Sequence, residues 1–261
     1  MLPTATFSVS SLLMDLLVVS ILAAQTTASV DSFIYVGCTQ QKYAPNSQYE
    51  TDVDSILTSL VNSAMYTSFN KFTVGTGSSD LLYGLFQCRP NLQQSDCASC
   101  VAHSVSQLGA LCVYSCGGAL QLEGCLVKYD NNPFFGVEDK TVVARKCGPP
   151  IGYDSDDFTR IDSVLSYLAS SGELFRVGGS GDVQGVAECV GDLSAAQCQD
   201  CVSAAIARLK NDCAAAVWGD VFLSTCYVRY SVAGDHSYST GGKLVHYAGL
   251  WLPVSAFLML L

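Results

Sequence analysis

Apolar residues at Val53, Ile56, Leu57, Leu60, Val61 and Ala64 recur with the i, i+3, i+4, i+7 spacing of one helical face, behind Thr51 and Asp52 as candidate caps. Ile161, Val164, Leu165 and Leu168 repeat the stripe later in the chain. A second stripe begins at Ser95 or Asp96 and carries Cys97, Cys100, Val101, Val105, Leu108 and Cys112; its counterpart carries Cys198, Cys201, Val202, Ala205, Ile206, Leu209 and Cys213. Sulfur and apolar side chains share that face, which predicts a helix tied to a sheet. Short apolar runs bounded by Gly, Pro, Asn or Ser predict strands over 33–37, 71–75, 82–88, 120–130 and 141–145. The expected class is α+β, an antiparallel sheet with two helices packed on it.

This pattern occurs twice. Cys88, Cys97, Cys100, Cys112 and Cys125 are separated by 9, 3, 12 and 13 positions, and Cys189, Cys198, Cys201, Cys213 and Cys226 repeat those intervals at an offset of 101. Flanking residues agree, as in "GCLVKYD" against "TCYVRYS". Cys38 and Cys147 each precede a helical stripe and supply a sixth thiol per copy, which leaves Cys116 over. Spacing leaves all 15 pairings of six cysteines open. It does weigh against zinc and against a thioredoxin-like pair, because the two Cys-x2-Cys pairs occupy equivalent places in separate repeats. Three structural bridges per copy, each contributing about 2–4 kcal/mol, would stabilise a domain too small to rely on its core alone.

Composition narrows the class. Charged residues make up 14% of the 261, and 13 Lys and Arg face 23 Asp and Glu. The net charge of −10 repels phosphate backbones, so no nucleic acid partner is expected. Residues 31–147 carry 7 basic and 10 acidic side chains, and 148–235 carry 5 and 12, so the second copy is the more acidic. An apolar run over 16–24 followed by small residues reads as a secretory signal, which implies an oxidising compartment. The expected organisation is a signal peptide at 1–28, one cysteine-rich domain at 29–147, a second at 148–235, a polar spacer at 236–243 and a hydrophobic segment at 244–261. That last segment fits either a short transmembrane span or a glycolipid-anchor signal with Gly234 as the attachment site. Gly148-Pro149-Pro150 reads as a short, stiff linker that would hold the two copies as a semi-rigid rod.

Candidate chemistry is sparse. His103, His236 and His246 lie in no nucleophile or metal pattern, and "VGGSG" at 177–181 lacks the Lys and helix start of a phosphate cradle. No enzyme, metal or cofactor is expected. Cys116 reads as an inert thiol in preference to an oxidant sensor or a link between chains.

The spacings Cys88-x8-Cys97-x2-Cys100 and Cys189-x8-Cys198-x2-Cys201 resemble the ginkbilobin-type, salt-stress-response/antifungal cysteine-rich domain of land plants. Two such domains, with "YDNNPFFGVEDKTVVARKCG" and "FRVGGSGDVQGVAECVGDLSAAQCQDC", are similar to the plasmodesmata-located proteins. The resemblance implies bridges Cys38–Cys112, Cys88–Cys97, Cys100–Cys125, Cys147–Cys213, Cys189–Cys198 and Cys201–Cys226. It also implies an extracellular ectodomain, attached to the plasma membrane at plasmodesmata, that modulates cell-to-cell transport. Its partners would be callose-regulating or viral movement proteins, other membrane or wall proteins, wall polysaccharide, or a second copy of itself. The alternative is a secreted mannose-binding defence protein like ginkbilobin, whose sugar-binding Asn, Arg and Glu fall here on Thr39, Ala119 and Asp130, and again on Gly148, Asp220 and Ser231. Only Asp130 keeps the chemistry, and it is a weak carbohydrate candidate.

Overall fold

A computed structural model describes residues 29–75, 81–152, 155–170, 172–213 and 216–232. The expected signal peptide, spacer, C-terminal segment and Gly234 lie outside the described residues. No helix among the described residues is long and apolar enough to cross a membrane.

Strand β1 (Phe33–Cys38) is followed by helix α1 (Gln48–Ser63). Its cap is Ser47, not Thr51 or Asp52: the Ser47 hydroxyl accepts the Glu50 amide at 3.3 Å, and the Glu50 carboxylate accepts the Asn46 amide at 2.5 Å. Ser47 thus satisfies one amide that the first helical turn leaves open, and Glu50 reaches back to fix the residue before the cap. Strands β2 (Phe69–Val74) and β3 (Leu82–Cys88) lead to helix α2 (Gln94–Leu111), and β4 (Gly118–Leu122) and β5 (Cys125–Asp130) form a hairpin where one run over 120–130 was expected. Gly124 sits in its turn because a Cβ there would approach the Val30 side chain and carbonyl to 3.0 and 3.1 Å.

The second half repeats this plan: β6 (Val142–Cys147), α3 (Ser155–Ser170), β7 (Phe175–Ser180), β8 (Val183–Cys189), α4 (Ala195–Asp212), β9 (Trp218–Leu223) and β10 (Cys226–Val232). The two antiparallel sheets have matching orders, β1-β4-β5-β3-β2 and β6-β9-β10-β8-β7. The expected boundary between 147 and 148 needs correction, since β6 pairs with β9 and so belongs to the second sheet. Gly148-Pro149-Pro150 is therefore no linker: the Gly148 amide bonds the Trp218 carbonyl, and Pro150 bridges Ala216. Residues 131–141 connect the domains instead.

Each sheet packs one face on its two helices. Ile56, Leu60, Phe86, Val101, Leu108, Leu120 and Val127 fill the first core, and Val164, Leu168, Ala187, Val202, Leu209, Val221 and Val228 fill the second. The disulfides lie against these cores and join Cys38 to Cys112, Cys88 to Cys97, Cys100 to Cys125, Cys147 to Cys213, Cys189 to Cys198 and Cys201 to Cys226. Cys97 and Cys100 leave one helix for two different strands.

Alternate residues on the strands point away from the helices, and here they meet the other domain. Leu85 and Leu126 pack with Val190, and Val186, Phe222 and Tyr227 pack with Ile34 and Tyr35. The layers run helix, sheet, sheet, helix. Relative orientation is fixed by facing sheets, not by a stiff linker in a rod.

Candidate recognition surface and domain interface

Thr39 follows β1 and Asp130 ends β5, and the sheet brings both to Gly117. The Thr39 hydroxyl donates to the Gly117 carbonyl at 3.2 Å and accepts its amide at 2.8 Å. A Cβ on Gly117 would stand 2.7 Å from Asp130 Oδ2 and 2.9 Å from Thr39 Cγ2, so glycine is what lets the two side chains close around this point. Asp130 Oδ1 already accepts the Asn132 amide at 2.8 Å and its side chain at 3.0 Å. Ala119 offers only a methyl group, so the site lacks the convergent donors that a hexose needs.

The second copy fills the same place. Trp218, the counterpart of Gly117 at the 101 offset, lays its indole where any side chain on Gly148 would project. Ser231 stands across from Trp218 in the ladder and is buried. Asp220 is committed to Arg229. The three positions are brought near one another, but as a closed, structural arrangement.

Cys116 lies beside the first of these sites and is buried. Tyr49 donates its hydroxyl to the Cys116 carbonyl at 2.7 Å, and Tyr129 donates to that of Ser115 at 3.1 Å. Burial raises the Cys116 thiol pKa, the Tyr49 hydrogen bond opposes this, and Asp130 adds to the rise. Such a thiol is a poor nucleophile at neutral pH. His103 is exposed on α2, with Nδ1 2.8 Å from the Asp31 carboxylate. Among the described residues no group of three or more His, Cys, Asp or Glu could hold a metal ion.

The side chains that sequence reasoning did not single out lie between the sheets. Arg229, 3% exposed, donates to Asp220 at 2.9 and 3.0 Å and to Glu123 of the first domain at 2.5 and 2.9 Å. Burial works against its charge, but Asp220 and Glu123 outweigh burial and hold its pKa well above the ordinary value. Gln87 donates to Glu188 Oε1 at 2.6 Å and to the Cys189 carbonyl at 2.9 Å, and accepts the Gly191 amide at 2.5 Å. Gln87 and Glu188 are themselves counterparts at the 101 offset, and the counterpart strands β1 and β6 also touch. The two copies therefore meet much as the subunits of a symmetric dimer do.

The model of the salt stress response/antifungal family matches residues 37–132 and 152–233. Over 229 residues the chain is 58% identical to plasmodesmata-located protein 6 of Arabidopsis thaliana, spanning 86% of this chain and 80% of that one. With plasmodesmata-located protein 7 of the same plant it shares 56% over 217 residues, 83% and 73% of the two chains. The crystal structure of the tandem DUF26 ectodomain of the Arabidopsis thaliana cysteine-rich receptor-like protein PDLP8 matches with a TM-score of 0.76 at 44% identity, covering 78% of this chain and 100% of that one. The chain belongs to the plasmodesmata-located protein family. It is an extracellular tandem ectodomain of the plasma membrane at plasmodesmata.

As a plasmodesmata-located protein, the molecule turns its helices and its connector outward. Beneath the connector lies an open groove of about 580 Å³, lined by Lys128, Phe134, Val137 and Lys140 among others. The Lys128 ammonium stands over the Phe134 ring at 4.4 Å, and burial lowers its pKa despite the nearby Asp139 and Asp130. Apolar side chains on both faces of β3, Leu82 and Phe86 on one and Leu85 on the other, are the feature in the sequence that could have revealed the second layer.

Proposed function

We propose that this member of the family is a non-enzymatic, membrane-attached recognition protein that modulates cell-to-cell transport through plasmodesmata by engaging membrane or wall proteins. The observation that carries the reading is the docking of two disulfide-stapled domains across the Arg229–Glu123 contact, which presents one fixed exterior to partners. The non-enzymatic part draws support from the state of the two candidate groups: Cys116 is buried with a raised pKa, and His103 is paired to Asp31 on the surface. The Trp218 plug and the methyl at Ala119 weigh against the secreted mannose-binding alternative.

A fluorescent protein inserted after Ser29 tests location and role together. Punctate wall labelling that persists on plasmolysis, with an altered spread of a mobile fluorescent reporter between cells, is the expected outcome. Diffuse label that washes out, or reporter spread that does not respond to the protein's level, overturns the reading.

A further inference from the structure

Glu188 occupies an unusual position for an acid. It lies on the face of β8 that meets the other domain, and only 5% of it is exposed. One carboxylate oxygen accepts from Gln87 of the first domain at 2.6 Å, and the other from the Tyr227 hydroxyl at 2.7 Å. The groups around it come from several elements. Arg89 follows the end of β3 and Tyr35 projects from β1, and both line a small cavity of about 30 Å³ that Glu188 also borders. Arg229, beside Tyr227 on β10, is already engaged by Asp220 and Glu123 and does not neutralise Glu188.

We propose that Glu188 is a proton-controlled latch between the two domains: the sheets dock more tightly when its carboxyl is protonated and loosen when it ionises. The geometry accommodates both states. With Glu188 neutral, its hydroxyl donates to the Tyr227 oxygen and the Gln87 contact on the other oxygen is kept. With Glu188 ionised, Tyr227 must donate to a charge held away from water, and only the Arg89 charge compensates it.

Burial raises the Glu188 pKa, while the Tyr227 and Gln87 hydrogen bonds and Arg89 oppose the rise without cancelling it. A docked carboxyl with a raised pKa binds its proton more tightly than one exposed by undocking. Docking is therefore strongest at acid pH. It weakens as pH climbs from the ordinary glutamate range to the docked value, and is level above that. One proton limits the change in the opening equilibrium to about tenfold per pH unit. This inference rests on the interface alone and stands apart from the proposed role in transport.

Hydrogen exchange at the Gly191 amide reads the latch directly, because that amide is bonded across the interface to Gln87. The Cys189 amide, bonded to Leu174 within the second domain, is the internal reference. Between about pH 5 and about pH 8, Gly191 protection relative to Cys189 is expected to fall in the native protein, at up to about tenfold per unit, and to stay level in Glu188→Gln. A level profile in the native protein, or an equal slope in both, overturns the latch. If Glu188→Gln fails to dock, the carboxyl carbon resonance of Glu188 in the native protein decides. A midpoint above that of exposed glutamates supports the proposal, and an ordinary midpoint rejects it.

Discussion

The two domains share disulfides, strand order and core, yet differ where their sheets face each other and at the sheet ends beside Gly117 and Trp218. At the 101 offset, Gly117 becomes Trp218, Cys116 becomes Val217, Ala119 becomes Asp220 and Lys128 becomes Arg229. In the first domain these positions leave a small polar site around Thr39 and Asp130, with a lysine lying on Phe134. In the second they form a plugged sheet end and a buried ion cluster that reaches Glu123. Duplication preserved what each half needs to fold and released the facing sheet residues to specialise. One copy supplies the charge that locks the pair together, and the other supplies its carboxylate partner.

The difference can be broken most severely at Arg229. Arg229→Ala strands Asp220 and Glu123 without their cation and is expected to cost about 3–5 kcal/mol. Lys128→Ala, the same position in the other copy, removes a cation–ring contact and a charge that Asp139 and Asp130 feel without bonding it, and is expected to cost about 0.5–1 kcal/mol. Denaturant unfolding of the two variants measures the gap, and equal losses would mean that the facing residues contribute alike in both halves.

Removing a bridge should erase the difference instead. Cys100–Cys125 and Cys201–Cys226 each span 25 residues and tie a helix to a central strand. Replacing either pair by Ala is expected to lower stability by a similar amount, about 2–4 kcal/mol. Thermal melts of the two double variants check this, and a loss confined to one half would show that the staples are not equivalent.

The smallest contrast lies at the second helix of each copy. Ser194 caps α4 with a reciprocal pair, its hydroxyl accepting the Gln197 amide at 3.3 Å and Gln197 Oε1 accepting the Ser194 amide at 3.0 Å. Gln93 precedes α2 without any side-chain cap. Ser194→Ala is expected to cost about 1 kcal/mol and Gln93→Ala close to nothing. Amide exchange in the first turn of each helix resolves the two.

The repeat and its helices were legible in the sequence because sulfur spacing and helical stripes survive duplication unchanged. Location of the domain boundary was not. Gly148-Pro149-Pro150 carries the composition of a linker, yet Pro150 and Gly148 are bound into the second domain through Ala216 and Trp218. The strand over 142–147 looked like the end of one domain because nothing local says which sheet will accept it; its pairing with β9 is decided some seventy residues later. The α1 cap at Ser47 is legible in "SQYE" as a Ser-x-x-Glu pair, but Thr51 and Asp52, nearer the first apolar residue of the stripe, compete with it as caps. Gln87, Glu188, Glu123 and Arg229 resemble ordinary solvated residues of a half-exposed sheet, and only the apolar residues interleaved with them hint that a second sheet covers that face. Asp130 and Cys116 do lie close together around Gly117, where Asp130 is taken up by its own turn at Asn132 and the Cys116 carbonyl by Tyr49.

None of the six disulfides crosses from one domain to the other, and the only covalent link between the halves is the stretch from residue 131 to residue 141. A single cut there by an extracellular protease would leave two self-contained fragments. They would remain associated through Arg229, Gln87 and the apolar contacts around them, as a complemented pair that separates on dilution and not as one molecule losing its shape.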